Sequence, residues 1–275
     1  MKKTTIAVID SGIGGLSVLK DMFDRFSGVD FIYYSDTKNL PFGNKPVRVL
    51  IKIAFDALFL VSSYDIDCAV LACNTLSITA LNKVKSLFDF PIYGVFPPVE
   101  RTVMEGSAIL LSTVRTAEYY NGVKNLSVIG LPNLASDIEY NAFTCEKIDV
   151  DKHLNIIKPY SGRSHTVILG CTHYFFVKNG ISDHLKPLRI LSGSKFTCHY
   201  ISKNFSKLKT LVKHKRNRVK FIGENKKFNK KVWLKVVFNA QKIQKNNKNS
   251  QKIFKKGLTV VKNSVTIKSH FTKGV

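Results

Sequence analysis

Two cysteines in this chain stand in matching surroundings. Cys73 ends the apolar run Ala69-Val-Leu-Ala and is followed by Asn74 and Thr75, and Cys171 ends Thr166-Val-Ile-Leu-Gly and is followed by Thr172 and His173. A single cysteine at the end of a buried strand is ordinarily inert packing. A matched pair, each with hydrogen-bonding neighbours, points to chemistry. Thiols titrate near pH 8.5, so each can act as base or acid close to neutral pH. Inverting a stereocentre needs one group to take the α-proton from one face and another to return a proton to the opposite face. One thiolate and one thiol, facing each other across a substrate, would meet that need. Asp10 and Ser11 stand in the first half of the chain and His173 beside the second thiol, so a carboxylate and an imidazole are available to accept or relay protons.

Other cysteine chemistries fit less well. The chain has five cysteines, an odd number, with no CxxC pair, which argues against a disulfide framework and against a structural zinc site. The run Gly12-Ile-Gly-Gly15 lacks the third spaced glycine of a dinucleotide fingerprint and the Lys-Ser/Thr of a P-loop. Its backbone amides are expected to hold a carboxylate at a helix start. Asn74, Thr75, Thr113, Thr116 and Thr172 would supply neutral donors and acceptors for a small charged amino acid. The residues thus give no signature of a zinc site or of a nucleotide-binding loop.

These groups must be positioned by strands that end at one place. Ile6-Ala-Val-Ile-Asp10 followed by Ser-Gly, and Ala69 to Thr75, both read as buried parallel strands meeting a polar turn and then a helix. The pattern then repeats. Ser107 to Thr116 resembles the opening strand and Thr166 to His173 resembles the second. Thr113 stands 103 positions after Asp10, and Cys171 stands 98 after Cys73. This near-constant offset predicts a duplicated α/β unit. The expected fold is therefore α/β: two similar Rossmann-like domains with pseudo-twofold symmetry and the active site in the cleft between them. The first domain is expected over 1–97, the break falling near Pro97-Pro98, and the second over 98–205. Apolar residues at helical spacing from Phe228 to Ile243, Trp233 among them, predict an amphipathic helix near 225–245 that completes the first domain.

Charge is unevenly distributed. Residues 1–190 carry a net charge of +2, whereas residues 191–275 carry +22 with Glu224 as their one acid. A lysine-rich surface of this kind is either a solvated face or a site for nucleic acid or membrane, and residues 246–275 read as a basic tail with no assigned element. The short apolar run at the start is interrupted by Asp10, so it is read as a strand and not a leader; with no membrane-length segment in the chain, a cytoplasmic location is expected.

Together the motifs resemble the glutamate racemases of the aspartate/glutamate racemase superfamily. They are Asp10-Ser-Gly12 with Gly14-Gly15, Asp36-Thr37, Pro41-Phe-Gly43, Ala72-Cys-Asn-Thr75, Thr113 with Thr116, and Leu169-Gly-Cys-Thr-His173, in order over residues 5–190. The resemblance implies two-base racemisation of glutamate without a cofactor, the product D-glutamate serving peptidoglycan synthesis. It implies Cys73 and Cys171 as the acid/base catalysts, Cys73 acting on the D-isomer and Cys171 on the L-isomer, with Asp10 and His173 assisting. Ser11, Pro41, Phe42, Gly43, Asn74, Thr75, Thr113, Thr116 and Thr172 match substrate-binding positions, and Glu139 matches a family acid near the site. Departures are Phe42 where the family usually has Tyr, Gly130-Leu-Pro132 for Ala-Cys-Pro, Leu191-Ser-Gly193 for Asp-Ser-Gly, and a tail without counterpart. Alternative readings are an aspartate or related racemase, and a nucleic-acid-binding protein on a decayed racemase fold. The expected partner is glutamate; a homodimer stays open.

Overall fold

The computed structural model describes residues 3–144, 149–162, 166–205, 208, 216–245, 258–261 and 264–267. Each half begins with the expected strand. β1 (Thr5–Asp10), β2 (Asp30–Ser35), β3 (Cys68–Leu71) and β4 (Ile92–Gly94) form a parallel core in the order β2-β1-β3-β4. β5 (Ala108–Ser112), β6 (Leu126–Gly130), β7 (Thr166–Gly170) and β8 (Arg189–Ser192) repeat that order as β6-β5-β7-β8, again parallel. β1, β3, β5 and β7 are central strands, and almost all of their residues are buried, as continuous apolar runs covered by helices on both faces must be. The fold is α/β with two parallel-sheet units, as the sequence led us to expect.

The first sheet gains a further parallel strand, β9 (Asn217–Ile222), beside β2. Helix α10 (Lys226–Lys245) follows and packs against β9 and α1 (Gly15–Arg25); Trp233 is fully buried there, edge-on to Phe23. β10 (Leu258–Val261) and β11 (Ser264–Ile267) form an antiparallel hairpin whose second strand pairs with β9, in the stretch to which the sequence reading assigned no element. The other residues of the 246–275 tail lie outside the described residues, as does Cys145.

The remaining helices are α2 (Val47–Ser62), α3 (Asn74–Val84), α4 (Val99–Met104), α5 (Val114–Tyr120), α6 (Leu134–Thr144), α7 (Val150–Leu154), α8 (Lys178–Leu185) and α9 (Gly193–Asn204). After β4 the chain crosses to the second unit, where α4 packs on β5. After β8 it crosses back. α9, which the sequence reading placed in the second unit, packs on α1 and β4 of the first, with Thr197 Oγ1 donating to the Gly94 carbonyl at 3.2 Å. One apolar core runs through both halves, joining Ile6, Val8 and Leu16 to Leu111, Val167 and Tyr174. Among the described residues no helix is long and apolar enough to cross a membrane.

Candidate active site

In each parallel sheet the strand order reverses beside the first strand, and the crevice beyond the carboxyl ends of the strands there is the natural ligand position. β1 and β3 flank that point in the first half and release Asp10 and Cys73; β5 and β7 flank it in the second and release Thr113 and Cys171. The two crevices open on one cleft lined by both thiols. The matching strand ends thus do bring the paired cysteines to one place.

Eleven of the thirteen residues named from the sequence line this cleft: Ser11, Pro41, Phe42, Gly43, Cys73, Asn74, Thr75, Thr113, Cys171, Thr172 and His173. Asp10 and Thr116 do not; both are fully buried directly behind it. Thr116 meets Thr113 and Thr75 in a hydroxyl cluster, with Thr75 and Thr113 Oγ1 2.9 Å apart. The far wall includes Leu131, Pro132, Asn133, Ala135 and Ser136, none of which the sequence reading assigned to the site. Their signal is faint, since Gly130-Leu-Pro132 departs from the family pattern there. Asp36 and Thr37 also stay off the cleft. Asp36 accepts from the Asn39 backbone N–H at 3.3 Å, and Thr37 Oγ1 takes a bond from Asn225, so they hold the approach to the Pro41–Gly43 loop.

Amides of the glycine run hold carboxylates as expected, but the carboxylates at Gly12 and Ile13 are the protein's own. Ser11 and Gly12 N–H donate to Asp10 Oδ1 at 2.8 and 3.2 Å, and Ile13 N–H donates to Glu139 Oε2 at 2.7 Å. The glycines are there because the second half comes so close. A Cβ on Gly12 would lie 2.2 Å from Glu139 Oε2, and one on Gly14 would lie 2.4 Å from Thr172 Oγ1 and 2.5 Å from His173 Nδ1. The run is a seam between halves.

Polar links cross that seam around each thiol. Thr172 Oγ1 donates to Asp10 Oδ2 at 3.2 Å. His173 Nδ1 lies 3.9 Å from Cys171 Sγ, while its Nε2 lies 2.9 Å from Glu139 Oε2. Glu139, on α6, therefore ties the imidazole to the loop that follows β1. The second strand-end thiol has an imidazole–carboxylate chain behind it, and the first has the buried Asp10.

Electrostatics separate the two. Burial pushes the Cys73 thiol well above the ordinary range, and the nearby Asp10 carboxylate pushes the same way; N–H groups of Leu76 and Thr75 at the start of α3 only partly offset this. Burial likewise raises Asp10, with Glu139 adding to it and His173, Gly12 and Ser11 opposing. Burial would lower His173, but its bonds to Cys171 and Glu139 win and hold the imidazole well above its usual value. Asn74 Nδ2 is committed to the Val95 carbonyl at 2.9 Å, which fixes the turn after Cys73. Among the described residues no cluster of three or more His, Cys, Asp or Glu stands at metal-binding spacing.

No family model matches the chain. Curated relatives do. The chain is 31% identical over 238 residues to the glutamate racemase of Clostridium novyi (strain NT), covering 80% of this chain and 91% of that one. Among solved structures, glutamate racemase from Campylobacter jejuni superposes with a TM-score of 0.70 at 23% identity, over 85% of this chain and 99% of the other. Glutamate racemase from Thermus thermophilus, solved in complex with β-chloro-D-alanine, gives 0.68 at 26% identity over 82% and 90%. With two thiols closing one interdomain cleft and a relative matched along nearly its whole length, the chain belongs to the glutamate racemase family.

Proposed function

We propose that this amino-acid racemase interconverts L- and D-glutamate without a cofactor, using Cys73 and Cys171 as its two acid/base groups. The observation that carries the reading is the pairing of the two thiols: each stands at the carboxyl edge of a central strand, one per half, and both line one cleft. In the L-to-D direction the Cys171 thiolate takes the α-proton and becomes a thiol. The Cys73 thiol gives its proton to the opposite face of the carbanion and becomes a thiolate. The raised affinity of Cys73 for its proton suits that acid role at the start of a turnover. His173, its imidazole raised by its contacts with Cys171 and Glu139, stands 3.9 Å from Cys171 Sγ as a cation on that side of the cleft. Asp10 stands beside the other thiol to accept or return its proton. Ser11, Thr172, Thr75 and Thr113, the last two braced from behind by Thr116, and the Pro41-Phe-Gly43 loop hold the substrate's two carboxylates through hydroxyls and backbone amides. D-glutamate would then serve peptidoglycan synthesis in the cytoplasm.

The test is a circular-dichroism racemisation assay with glutamate and aspartate side by side and no added cofactor, coupled to α-proton exchange in deuterated water. Glutamate should be turned over with solvent exchange. Turnover of aspartate at a higher rate would shift the reading to the sister activity, and absence of exchange would remove the two-thiol mechanism.

A further inference from the structure

The first sheet is covered on its two faces by helices of unequal charge. Alternate strand residues separate the layers: Ile6, Val8, Cys68 and Val70 pack with α1, α9 and α10, whereas Ala7, Ile9, Ala69 and Leu71 pack with α2 and α3. α1, α9 and α10 together carry a net +9, and α2 and α3 a net +2. Because α10 packs on β9 and α1, and α9 on α1 and β4, the strand order puts α1 between the other two. Neither α9 nor α10 holds an acid. Lys195, His199 and Lys203 stand exposed at i, i+4, i+8 on α9, and Lys227, Lys231 and Lys235 at the same spacing on α10. Each row is about 12 Å long, at about 1.5 Å of rise per residue. On α1 between them, Asp24 is paired with Lys20 and Asp21 accepts from the Ser194 hydroxyl, so both carboxylates of the central helix already have partners.

We propose that the outer surface of this layer binds duplex nucleic acid through its phosphates, without reading base sequence. Charge is the first reason. A basic face on one side of a molecule is the electrostatic footprint of a nucleic-acid partner. A duplex carries one negative charge per about 1.7 Å of axis, so each row of cations lies along about seven phosphate charges. Residues 191–275 carry the same bias throughout, at net +22. Binding of glutamate does not account for these lysines, because no Lys or Arg lines the cleft.

What else the face presents selects among anionic partners. An interfacial helix at a membrane offers Trp, Phe or Leu to the acyl chains. On α10, Val232, Trp233 and Val237 are instead buried in the protein's own core. A single strand is held by aromatic platforms on which its bases stack. Among the described residues of these three helices, Tyr200 is the one large apolar or aromatic side chain that is exposed, and its ring already stands edge-on to Tyr93 at 6.1 Å. The rows of cations that remain suit a phosphate backbone, which positions a duplex without specifying its sequence.

The test is fluorescence anisotropy of the full-length protein with a labelled DNA duplex of mixed sequence at about 50 to 200 mM salt. With about five phosphate contacts, log K should fall against log salt with a slope of roughly −4 to −5, a loss on the order of 500-fold over that range. Lys227→Gln, Lys231→Gln and Lys235→Gln in one chain should flatten the slope by about three and weaken binding at least about tenfold, with far-UV circular dichroism unchanged. The same charge removed from the other face, by Lys52→Gln, Lys83→Gln and Lys85→Gln, should leave slope and affinity nearly as they were. Should the α10 variant fail to fold, Lys195→Gln with Lys203→Gln makes the same comparison, with a slope change of about two. Absence of salt-dependent binding, or equal losses from the two faces, overturns the proposal. So does tighter binding to a single strand of the same length, or to phosphatidylglycerol vesicles, which would make the face a site for exposed bases or for lipid.

Discussion

The two halves share a frame and differ in what surrounds their thiols. Both sheets have the same strand order, and both send a cysteine into the cleft from the third strand. Cys73 leads straight into α3, and its main neighbour of consequence is a buried carboxylate. Cys171 leads into a short 3₁₀ turn, residues 172–177, that places His173 behind it with Glu139 behind that. Duplication therefore fixes where the thiols are, and divergence of their neighbours makes one hold its proton and sets the other beside a cation. A racemase needs such asymmetry at the start of each turnover, since one group must be base while the other is acid.

The largest expected effect comes from removing one side of that comparison. Cys73→Ala and Cys171→Ala should each lower racemisation of glutamate by at least about 10³-fold, toward the upper range for an acid–base group, measured by circular dichroism. Normal activity in either variant would end the two-base scheme. Because racemisation has an equilibrium constant of one, kcat/KM must be equal in the two directions for any variant that still turns over. Asymmetry between the halves can appear only as matched changes in kcat and KM for one enantiomer.

Glu139→Gln should come next, at about 10- to 100-fold in kcat, by the general cost of losing a carboxylate that orients an imidazole. His173 is raised in the folded protein, chiefly by Cys171 and Glu139 against the pull of burial. The charged pair thus contributes stability fully below the unfolded value of about 6.5, and that contribution is lost as pH rises through the folded value. Without Glu139 the imidazolium should lose its proton at lower pH. The alkaline limb of the kcat profile should move to lower pH, which simple loss of packing would not cause. An unmoved limb would mean that Glu139 does no more than hold the Ile13 loop.

The frame was legible in the sequence because parallel strands buried on both faces read as short apolar runs, and their polar terminators mark where ligands sit. Asp10, Cys73, Thr113 and Cys171 were found that way. Glu139 could be named only by likeness to a family acid. Its partners Ile13 and His173 are 126 and 34 positions away, and nothing local in α6 encodes that pairing. The same holds for α9. Its periodicity says that it is a helix, but which half it covers is decided by Gly193. A Cβ there would come within 2.0 Å of the Phe96 carbonyl oxygen, so only glycine lets the helix approach β4. The glycine run after β1 is legible as a carboxylate-holding loop, but not as a seam between the halves, because a loop rich in free amides and a tight seam use the same residues.

On the first side of the comparison, Asp10→Asn should release Cys73 in part. Burial is the larger cause of its raised thiol and would remain, while the carboxylate's contribution would go. The pH at which Cys73 is half-alkylated by iodoacetamide, followed by peptide mass spectrometry, should fall, with Cys171 labelled as an internal reference. An unchanged profile would show that Asp10 acts on the loop amides of Ser11 and Gly12 and not on the thiol.

The smallest effect should come from Phe42→Tyr. Phe42 is almost fully buried at the start of the 3₁₀ turn 42–44, packed in the core beneath α2 and α3, with one edge on the cleft. The added hydroxyl helps only if it reaches the cleft, since a buried Tyr needs a partner. If it does, one neutral hydrogen bond of about 1 kcal/mol lowers KM by at most about fivefold and leaves kcat alone. If it is forced into the core, thermal stability falls and KM stays where it is. Measured together, KM and the melting temperature separate the two. In either case the ratio of kcat values in the two directions should not change, because Phe42 touches neither the Asp10 side nor the His173 side of the site. A shift in that ratio would show that the Pro41–Gly43 loop biases which thiol holds the proton, and would move part of the asymmetry from the thiols' own neighbours to the loop that grips the substrate.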